Sequence, residues 1–286
     1  MQKRRIVVVG YPKSGTTWVT RLTAQLLDAP IKGYWREPAT PEIAVEGTAR
    51  VSGFEVFKSH HTYREIRDDV ELRDIVYVVR DVRDVAVSGA CYFAFRPRQM
   101  LARLAFSLRK RVGGATGRLQ DHRHRLREML RVLADGDIRP SPWCAQPWDR
   151  HIAAFVNARA FIVRYEDLLA TPERECSRLL HHLGVDSSCA HIRAAVAAQS
   201  FASAKRRFVE GGDLRRARFL REGRSGGWTS ELSAEQSAFC RLRFGLVLSQ
   251  LDYEPSTAAD VPYTYTYAST PRAMPTAELA SDVSAM

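Results

Sequence analysis

The sequence predicts an α/β fold in which a central parallel β-sheet is flanked by helices within a single domain. Two observations predict it. Short runs of apolar, β-branched residues, typical of buried parallel strands, alternate with segments whose apolar residues recur at helical spacing. The first strand also runs directly into a glycine-bounded loop, Gly10–Gly15, which leads into the first helix.

The elements follow in chain order from these patterns. Strands are predicted at Ile6–Val9, Phe54–Lys58, Ile75–Val79 and Ala160–Tyr165, and helices at Thr16–Asp28, Asp84–Phe95, 96–131 (broken near Gly113–Gly117), Pro172–Leu183 and Ser233–Leu251. The predicted domain spans 1–254, with a variable basic helical insert at 96–140. The tail, 255–286, is rich in Ala, Thr, Ser and Pro without periodicity, which predicts disorder.

Composition narrows the class of protein. The longest apolar runs fall well short of the roughly 20 residues that a membrane helix needs, and the five cysteines form no CxxC pair. We therefore expect a cytoplasmic protein with reduced thiols and no metal site. The net charge is +11. Much of it lies in two segments. Residues 96–131 contain eleven Arg and Lys and two acidic residues, and residues 205–224 contain eight Arg and Lys and three acidic residues. Concentrated positive charge predicts an anionic partner.

The loop at Gly10–Thr17 predicts a phosphate site, and so a P-loop-containing fold. Backbone N–H groups and a helix N-terminus converge on an anion at such a junction. A kinase loop, GxxxxGK[ST], carries its lysine directly after the second glycine. Here that position is Thr16, and the lysine lies inside the loop as Lys13. A glycine turn with an incidental lysine is the structural alternative.

Two further segments carry polar groups at strand ends. Arg80 follows the strand Ile75–Val79, where its guanidinium can bind a phosphate with Ser88 nearby, although charged runs at such junctions are often only solvated. Lys58 and His60 close the strand at Phe54–Lys58. A histidine there can serve as a general base, whereas adjacent histidines such as His60 and His61 more often lie in loops or bind metals.

The segment Tyr11–Trp18 resembles the 5′-phosphosulfate loop of sulfotransferases that use 3′-phosphoadenosine 5′-phosphosulfate (PAPS), the cytosolic type in particular. The resemblance extends from about Ile6 to Trp228. It implies a transfer of the sulfuryl group from PAPS to an acceptor hydroxyl, without a metal. The loop residues implied to bind the 5′-phosphosulfate are Lys13, Ser14, Gly15, Thr16 and Thr17. Lys13 would contact the bridging oxygen, and Trp18 would stack on the adenine.

The resemblance assigns roles to the other segments. His60 is implied to be the general base of an in-line displacement, and Lys58 is implied to contact the sulfate. Arg80 and Ser88 are implied to bind the 3′-phosphate, together with Arg221 and Gly223 of a late glycine-rich loop. That loop departs from the family pattern at Glu222 and Gly227. Tyr165 and Phe201 are implied to contact the adenine, although core packing explains them nearly as well.

The acceptor is not specified by the sequence, and a small molecule, a glycan or a lipid-linked hydroxyl would each fit. Residues 100–112 form a basic amphipathic pattern, which predicts either a lid helix or a peripheral membrane contact. Two rival functions stay open. One is a P-loop nucleotide kinase, and the other is a non-catalytic nucleic-acid-binding protein. The sequence contains no recognised nucleic-acid-binding module, which argues against the second alternative. The oligomeric state is left open as well.

Overall fold

The computed structural model describes residues 3–37, 43–93, 95, 114–210 and 223–254. The predictions for 100–112, for Arg221 and for the tail at 255–286 lie outside these residues, as does the first part of the basic insert.

A five-stranded parallel sheet forms the centre of the structure. The strands are β1 (Arg4–Gly10), β2 (Ile31–Tyr34), β3 (Phe54–Ser59), β4 (Ile75–Val79) and β5 (Phe161–Arg164). Their order across the sheet is β2-β3-β1-β4-β5, and every neighbouring pair is parallel. The predicted α/β fold with a central parallel sheet is therefore confirmed.

Helices cover both faces of this sheet. They are α1 (Thr16–Leu26), α2 (Tyr63–Ile66), α3 (Val82–Tyr92), α4 (Gly114–Asp135), α5 (Trp148–Asn157), α6 (Tyr165–Ala170), α7 (Pro172–Leu183), α8 (Cys189–Ala198), α9 (Phe201–Glu210), α10 (Trp228–Glu231) and α11 (Ala234–Gln250). Short 3₁₀ turns occur at Leu72–Asp74 and Pro142–Cys144.

The two faces of the sheet carry separate cores because side chains alternate along a strand. Val7 and Val9 of β1 pack on the side of α3, α4, α5 and α11, whereas Ile6 and Val8 pack on the side of α1, α7 and α8. All four side chains are fully buried. This explains why β1 is an unbroken apolar run rather than an alternating one.

Most predicted elements lie close to their observed positions. The strand Ile75–Val79 and the helix Pro172–Leu183 match residue for residue, and Gly184 ends that helix with a φ of 70°. Of the predicted break near Gly113–Gly117, Gly113 lies outside the described residues, and α4 is continuous from Gly114 through Gly117. Glycine costs a helix only about 1 kcal/mol, and the later turns of α4 bury Leu126 and Met129 in the core. The four-residue strand β2 was not predicted.

The sheet topology determines where a ligand can bind. The chain leaves β1 toward β2 and β3 on one side and reaches β4 and β5 on the other, so β1 lies at a topological switch point. In open α/β sheets the crevice outside the carboxyl ends of the strands at such a point is the binding site. The segments that follow β1, β3 and β4 meet there.

Candidate active site

The loop after β1 has the backbone conformation of an anion-binding turn. Lys13 and Gly15 both have positive φ angles, 76° and 91°, and Gly15 is the N-cap of α1. A Cβ atom at Gly15 would lie 2.6 Å from Cδ2 of Tyr165, so only glycine fits there. Because glycine has no side chain to cap the helix, the N-terminus of α1 faces the crevice as a partial positive charge.

Two hydroxyl groups of this loop are buried without a hydrogen-bond partner among the described residues. They are Oγ of Ser14 and Oγ1 of Thr16, whose residues are 1% and 2% exposed. Buried hydroxyls normally bind a partner, since an unsatisfied one costs about 1–3 kcal/mol. The pair therefore supplies two donors at the position where the loop would hold phosphate or sulfate oxygens. Thr17 is the next residue of α1 and is half-buried.

The Lys13 side chain has a partner that sequence reasoning missed. Its Nζ lies 3.8 Å from the ring centroid of Tyr92, the last residue of α3, so the ammonium sits on the aromatic face. Such a contact is worth about 0.5–1 kcal/mol at an exposed site, and Tyr92 is 48% exposed. No local pattern could have paired residues from two different loop–helix junctions.

His60 lies directly after β3 and is tied to the end of β1. Its Nδ1 is 2.6 Å from the carbonyl oxygen of Gly10, and the residue is only 6% exposed. A carbonyl can only accept a hydrogen bond, so Nδ1 carries the proton and donates it. In the neutral ring the lone pair is then on Nε2, the nitrogen that a general base would use.

A buried chain of hydrogen bonds continues from His60 to β4. Nε2 of His151 on α5 lies 3.1 Å from the backbone oxygen of His60, and Nδ1 of His151 lies 2.8 Å from the hydroxyl of Tyr77. Burial lowers the pKa of His151 to about 4, and it raises the pKa of Tyr77. Both groups are therefore neutral near pH 7. No sequence pattern gave His151 a role.

Lys58 is the buried cation beside this base. It is 1% exposed, and its Nζ donates to the hydroxyl of Tyr34 across 2.8 Å. Tyr34 ends β2, the strand that pairs with β3. The predicted Lys58 and His60 thus lie on one segment at the carboxyl edge of the sheet, next to the loop that contains Lys13.

Two stacked aromatic rings lie beside His60. The rings of Tyr34 and Trp143 are nearly parallel, with 6° between their planes and 6.3 Å between their centroids. The His60 ring lies 6.0 Å from the first and 6.2 Å from the second. Trp143 belongs to a 3₁₀ turn whose start is capped by Ser141. A single tryptophan in an irregular segment gives no periodic signal, so the sequence did not predict this wall.

The arginine at the end of β4 lies between the loops. The guanidinium of Arg80 is 4.5 Å above the ring of Tyr165, and it donates to the backbone oxygens of Lys13 and Arg224 across 3.4 and 3.2 Å. Its Nε has no partner in the described part of the chain. Asp84 adds a longer ion pair to Arg80 at 3.9 Å.

Asp84 joins the third site segment to the others. Its two carboxylate oxygens accept from the backbone N–H groups of Gly226 and Trp228 across 2.7 and 3.1 Å. This carboxylate therefore holds the described end of the glycine-rich loop against α3. Within that loop Gly223 has a φ of 59°, and a Cβ atom there would lie 2.4 Å from the ring of Phe201. Gly223 and Phe201 are thus in contact.

The remaining predicted residues fall around Tyr165. The Trp18 ring packs edge-on against Tyr165 at 5.5 Å, and its Nε1 donates to the backbone oxygen of Gln199. Ser88 lies half-buried on α3, two turns beyond Arg80. Tyr165 therefore contacts Gly15, Trp18 and Arg80, which connects both predicted phosphate segments.

Among the described residues, no cluster of three or more His, Cys, Asp and Glu side chains has the geometry of a metal site. None of the helices within the described ranges combines the length and apolar character that crossing a bilayer requires.

Solved structures with a similar fold include three at 16–18% sequence identity. The structure of mouse sulfotransferase SULT7A1 complexed with PAP has a TM-score of 0.62 at 18% identity, covering 88% of this chain and 87% of that one. Retinol dehydratase in complex with androsterone and inactive cofactor PAP has a TM-score of 0.57 at 18% identity, covering 87% and 81%. Its complex with retinol and PAP has a TM-score of 0.58 at 16% identity, covering 87% and 82%. These likenesses show a shared fold.

Sequence comparison gives the family. No curated protein matches the chain, but the family model described as "Sulfotransferase domain" matches residues 3–252, nearly the whole chain. The family predicted from the phosphate loop and from the segment Lys58–His60 is thereby confirmed. This chain belongs to the sulfotransferase domain family.

Proposed function

We propose that this chain transfers the sulfuryl group of PAPS to the hydroxyl group of a small apolar acceptor, with His60 as the general base. The observation that carries the proposal is the 2.6 Å contact between Nδ1 of His60 and the oxygen of Gly10. Gly10 is the last residue before the phosphate loop. The proposed base is therefore tied directly to the loop that would hold the sulfuryl donor.

The residues present suit a ligand with an anion at each end. The hydroxyls of Ser14 and Thr16 and the N-terminus of α1 would bind the 5′-phosphosulfate together with Lys13 and Thr17. At the other end, Arg80 uses long contacts to backbone oxygens, and its Nε has no partner in the described residues. A phosphate would offer the Arg80 guanidinium a charged acceptor that it can bind in a bidentate way, which is a stronger interaction than long bonds to neutral carbonyl oxygens.

The 3′-phosphate site would include three more residues that the sequence predicts. Ser88 on α3 and Gly223 in the glycine-rich loop lie on the two segments that Asp84 links. Arg221 is the third. The adenine would lie near Trp18, Tyr165 and Phe201, of which the first two are in contact.

The chain's own groups supply what sulfuryl transfer needs. When bound, PAPS would supply the sulfuryl group and the phosphate that leaves. His60 would accept the proton of the acceptor hydroxyl at Nε2, while its Nδ1–H stays on the Gly10 oxygen. Lys13 and Lys58 would place positive charge at the oxygens on which negative charge develops. General-base assistance contributes about 10² to 10⁴ in rate.

The surroundings of His60 support a small apolar acceptor over a glycan. The stacked rings of Tyr34 and Trp143 present apolar surface beside the base. Aromatic faces of this kind favour apolar alcohols and phenols. The retinol dehydratase structures contain androsterone in one case and retinol in the other. Glycan and lipid-linked acceptors remain the alternatives to test.

Binding of the desulfated product, 3′-phosphoadenosine 5′-phosphate (PAP), tests the donor part of the proposal. We expect calorimetry without magnesium to show 1:1 binding, and transfer from labelled PAPS to appear with a panel of phenols and apolar alcohols. The absence of PAP binding, together with magnesium-dependent binding of ATP, would instead support the kinase alternative. Transfer to glycans alone would overturn the acceptor part.

A further inference from the structure

We infer that Tyr77 and His151 are positioning residues that fix the ring of His60 for proton transfer. The inference rests on the proposed function, because it assigns a purpose to the base proposed there. Neither residue faces the crevice, and both act through His60.

The hydrogen-bond chain allows one assignment of protons. The His60 carbonyl can only accept, so Nε2 of His151 carries a proton and donates it across 3.1 Å. The neutral ring then has its lone pair on Nδ1, which must accept the Tyr77 hydroxyl proton across 2.8 Å. The Tyr77 hydroxyl therefore selects the tautomer in which His151 can hold the His60 backbone.

His60 is consequently held at two points. Its backbone oxygen accepts from His151, and its ring Nδ1 donates to the oxygen of Gly10. Two fixed points on one residue restrict both the position of the main chain and the rotation of the ring. The lone pair on Nε2 then has a defined direction, which general-base catalysis requires.

The surroundings make this arrangement rigid. Tyr77 is fully buried and His151 is 1% exposed. The Tyr77 ring stacks on Phe155 with centroids 4.3 Å apart, and the edge of Tyr11 meets His151 at 5.6 Å. Burial keeps His151 neutral near pH 7, and a hydrogen bond with the Tyr11 backbone partly offsets the effect of burial on the pKa of Tyr77. The chain thus links the base to the phosphate loop at Gly10 and Tyr11.

Removing a single hydroxyl tests the inference kinetically. Tyr77→Phe keeps the ring on Phe155 but removes the proton that selects the His151 tautomer. We expect kcat to fall by about 10-fold to 10²-fold, as misplacement of a catalytic group does, while KM for PAPS stays the same. Tyr63→Phe is the matched control, since Tyr63 also packs on Phe155, at 5.5 Å. It should keep full activity, and equal activity of the two variants would overturn the inference.

A double-mutant cycle separates positioning from general loss of structure. If Tyr77 acts through His60, adding Tyr77→Phe to His60→Ala should cost no further activity. A structural role would lower the residual rate by the same factor in both backgrounds, and that outcome would contradict the inference. Substitution of His151 provides a second series. His151→Gln keeps a donor for the His60 oxygen and should retain at least tenfold more activity than His151→Leu.

Nuclear magnetic resonance of the histidine rings provides a readout that needs no substrate. The chain has eight histidines, and long-range nitrogen–proton spectra report the tautomer of each one. We expect His151 as the Nε2–H form in the unaltered protein and as a mixture of tautomers in Tyr77→Phe, with shifted His60 ring signals because the donor to its backbone oxygen is then weakened. Unchanged His60 signals would overturn the inference. Absence of PAPS-dependent transfer in the unaltered protein, with the tautomer shift present, would instead contradict only the proposed function.

Discussion

The carboxyl ends of β1 and β3 differ from the carboxyl end of β4 in how their polar groups are held. His60 and Lys58 are 6% and 1% exposed, and their hydrogen bonds to Gly10 and Tyr34 measure 2.6 and 2.8 Å. Arg80 instead donates to two backbone oxygens across 3.4 and 3.2 Å and lies on the face of Tyr165.

This difference suits the two regions to different roles, the His60 region to catalysis and the Arg80 region to nucleotide binding. Short bonds in a buried cluster keep a group in place without a ligand, which is the preorganisation that catalysis needs. Long bonds to neutral oxygens are readily exchanged for an anion, which suits binding. We therefore expect substitutions of Lys58 and His60 to change turnover, and substitutions at the β4 end to change affinity for the donor nucleotide.

Replacement of His60 should have the largest effect. His60→Ala removes the proposed base, so kcat should fall by about 10² to 10⁴. PAP affinity should hardly change, because no predicted nucleotide contact is lost. Steady-state rates and calorimetry on the same variant measure both quantities. Full activity in His60→Ala would contradict the role of His60 as the base. Loss of PAP binding would contradict the assignment of nucleotide affinity to the Arg80 region.

The free energy of unfolding should also depend on pH through His151, which lies in the buried cluster behind His60. Burial lowers the folded-state pKa of His151 to about 4, below the value of about 6.5 in an unfolded chain. Its contribution to stability is then complete above about pH 6.5 and is lost as the pH falls toward 4. It amounts to about 3 kcal/mol, since each pKa unit is worth about 1.4 kcal/mol.

Urea unfolding between pH 4 and 7 measures that contribution. The variant His151→Gln lacks the titrating group, so its free energy of unfolding should fall less steeply with acid than that of the unaltered protein. Equal slopes for the two proteins would show that His151 is not held neutral in the folded state.

Replacement of Arg80 should have a smaller effect, on affinity alone. A hydrogen bond to a charged group is worth about 1.5–3 kcal/mol, so Arg80→Ala should weaken PAP binding by about 10-fold to 10²-fold. The rate at saturating PAPS should stay nearly unchanged. Arg150→Ala is the control, because Arg150 is an exposed arginine on α5. A lower rate of Arg80→Ala at saturating PAPS would contradict the expectation that this region changes affinity alone.

The smallest effect is expected at the aromatic wall. Trp143→Leu removes one of the two parallel rings beside His60, and aromatic pairing is worth about 0.5–1.5 kcal/mol. The acceptor KM should rise by about 2-fold to 10-fold, with the dissociation constant of PAP as the internal control. An unchanged KM across phenols and apolar alcohols would place the acceptor elsewhere.

Local chemistry in the sequence determined the phosphate loop and the residues at the strand ends. Gly15 is required where the backbone takes a positive φ, Lys58 lies near the end of a predicted strand, and Lys13, His60 and Arg80 follow predicted strands. Each of these signals spans a few neighbouring residues. That is why the parallel sheet, the phosphate loop and the position of the proposed base could be predicted without a structure.

Only the tertiary structure decided which distant residues support them. His60 and His151 are 91 positions apart, Lys58 meets Tyr34 across two strands, and Asp84 reaches Gly226 over 142 positions. Neither periodicity nor a local motif encodes such pairs. They form because parallel strands bring their carboxyl ends to one edge, and because buried polar groups must find partners wherever the fold supplies them.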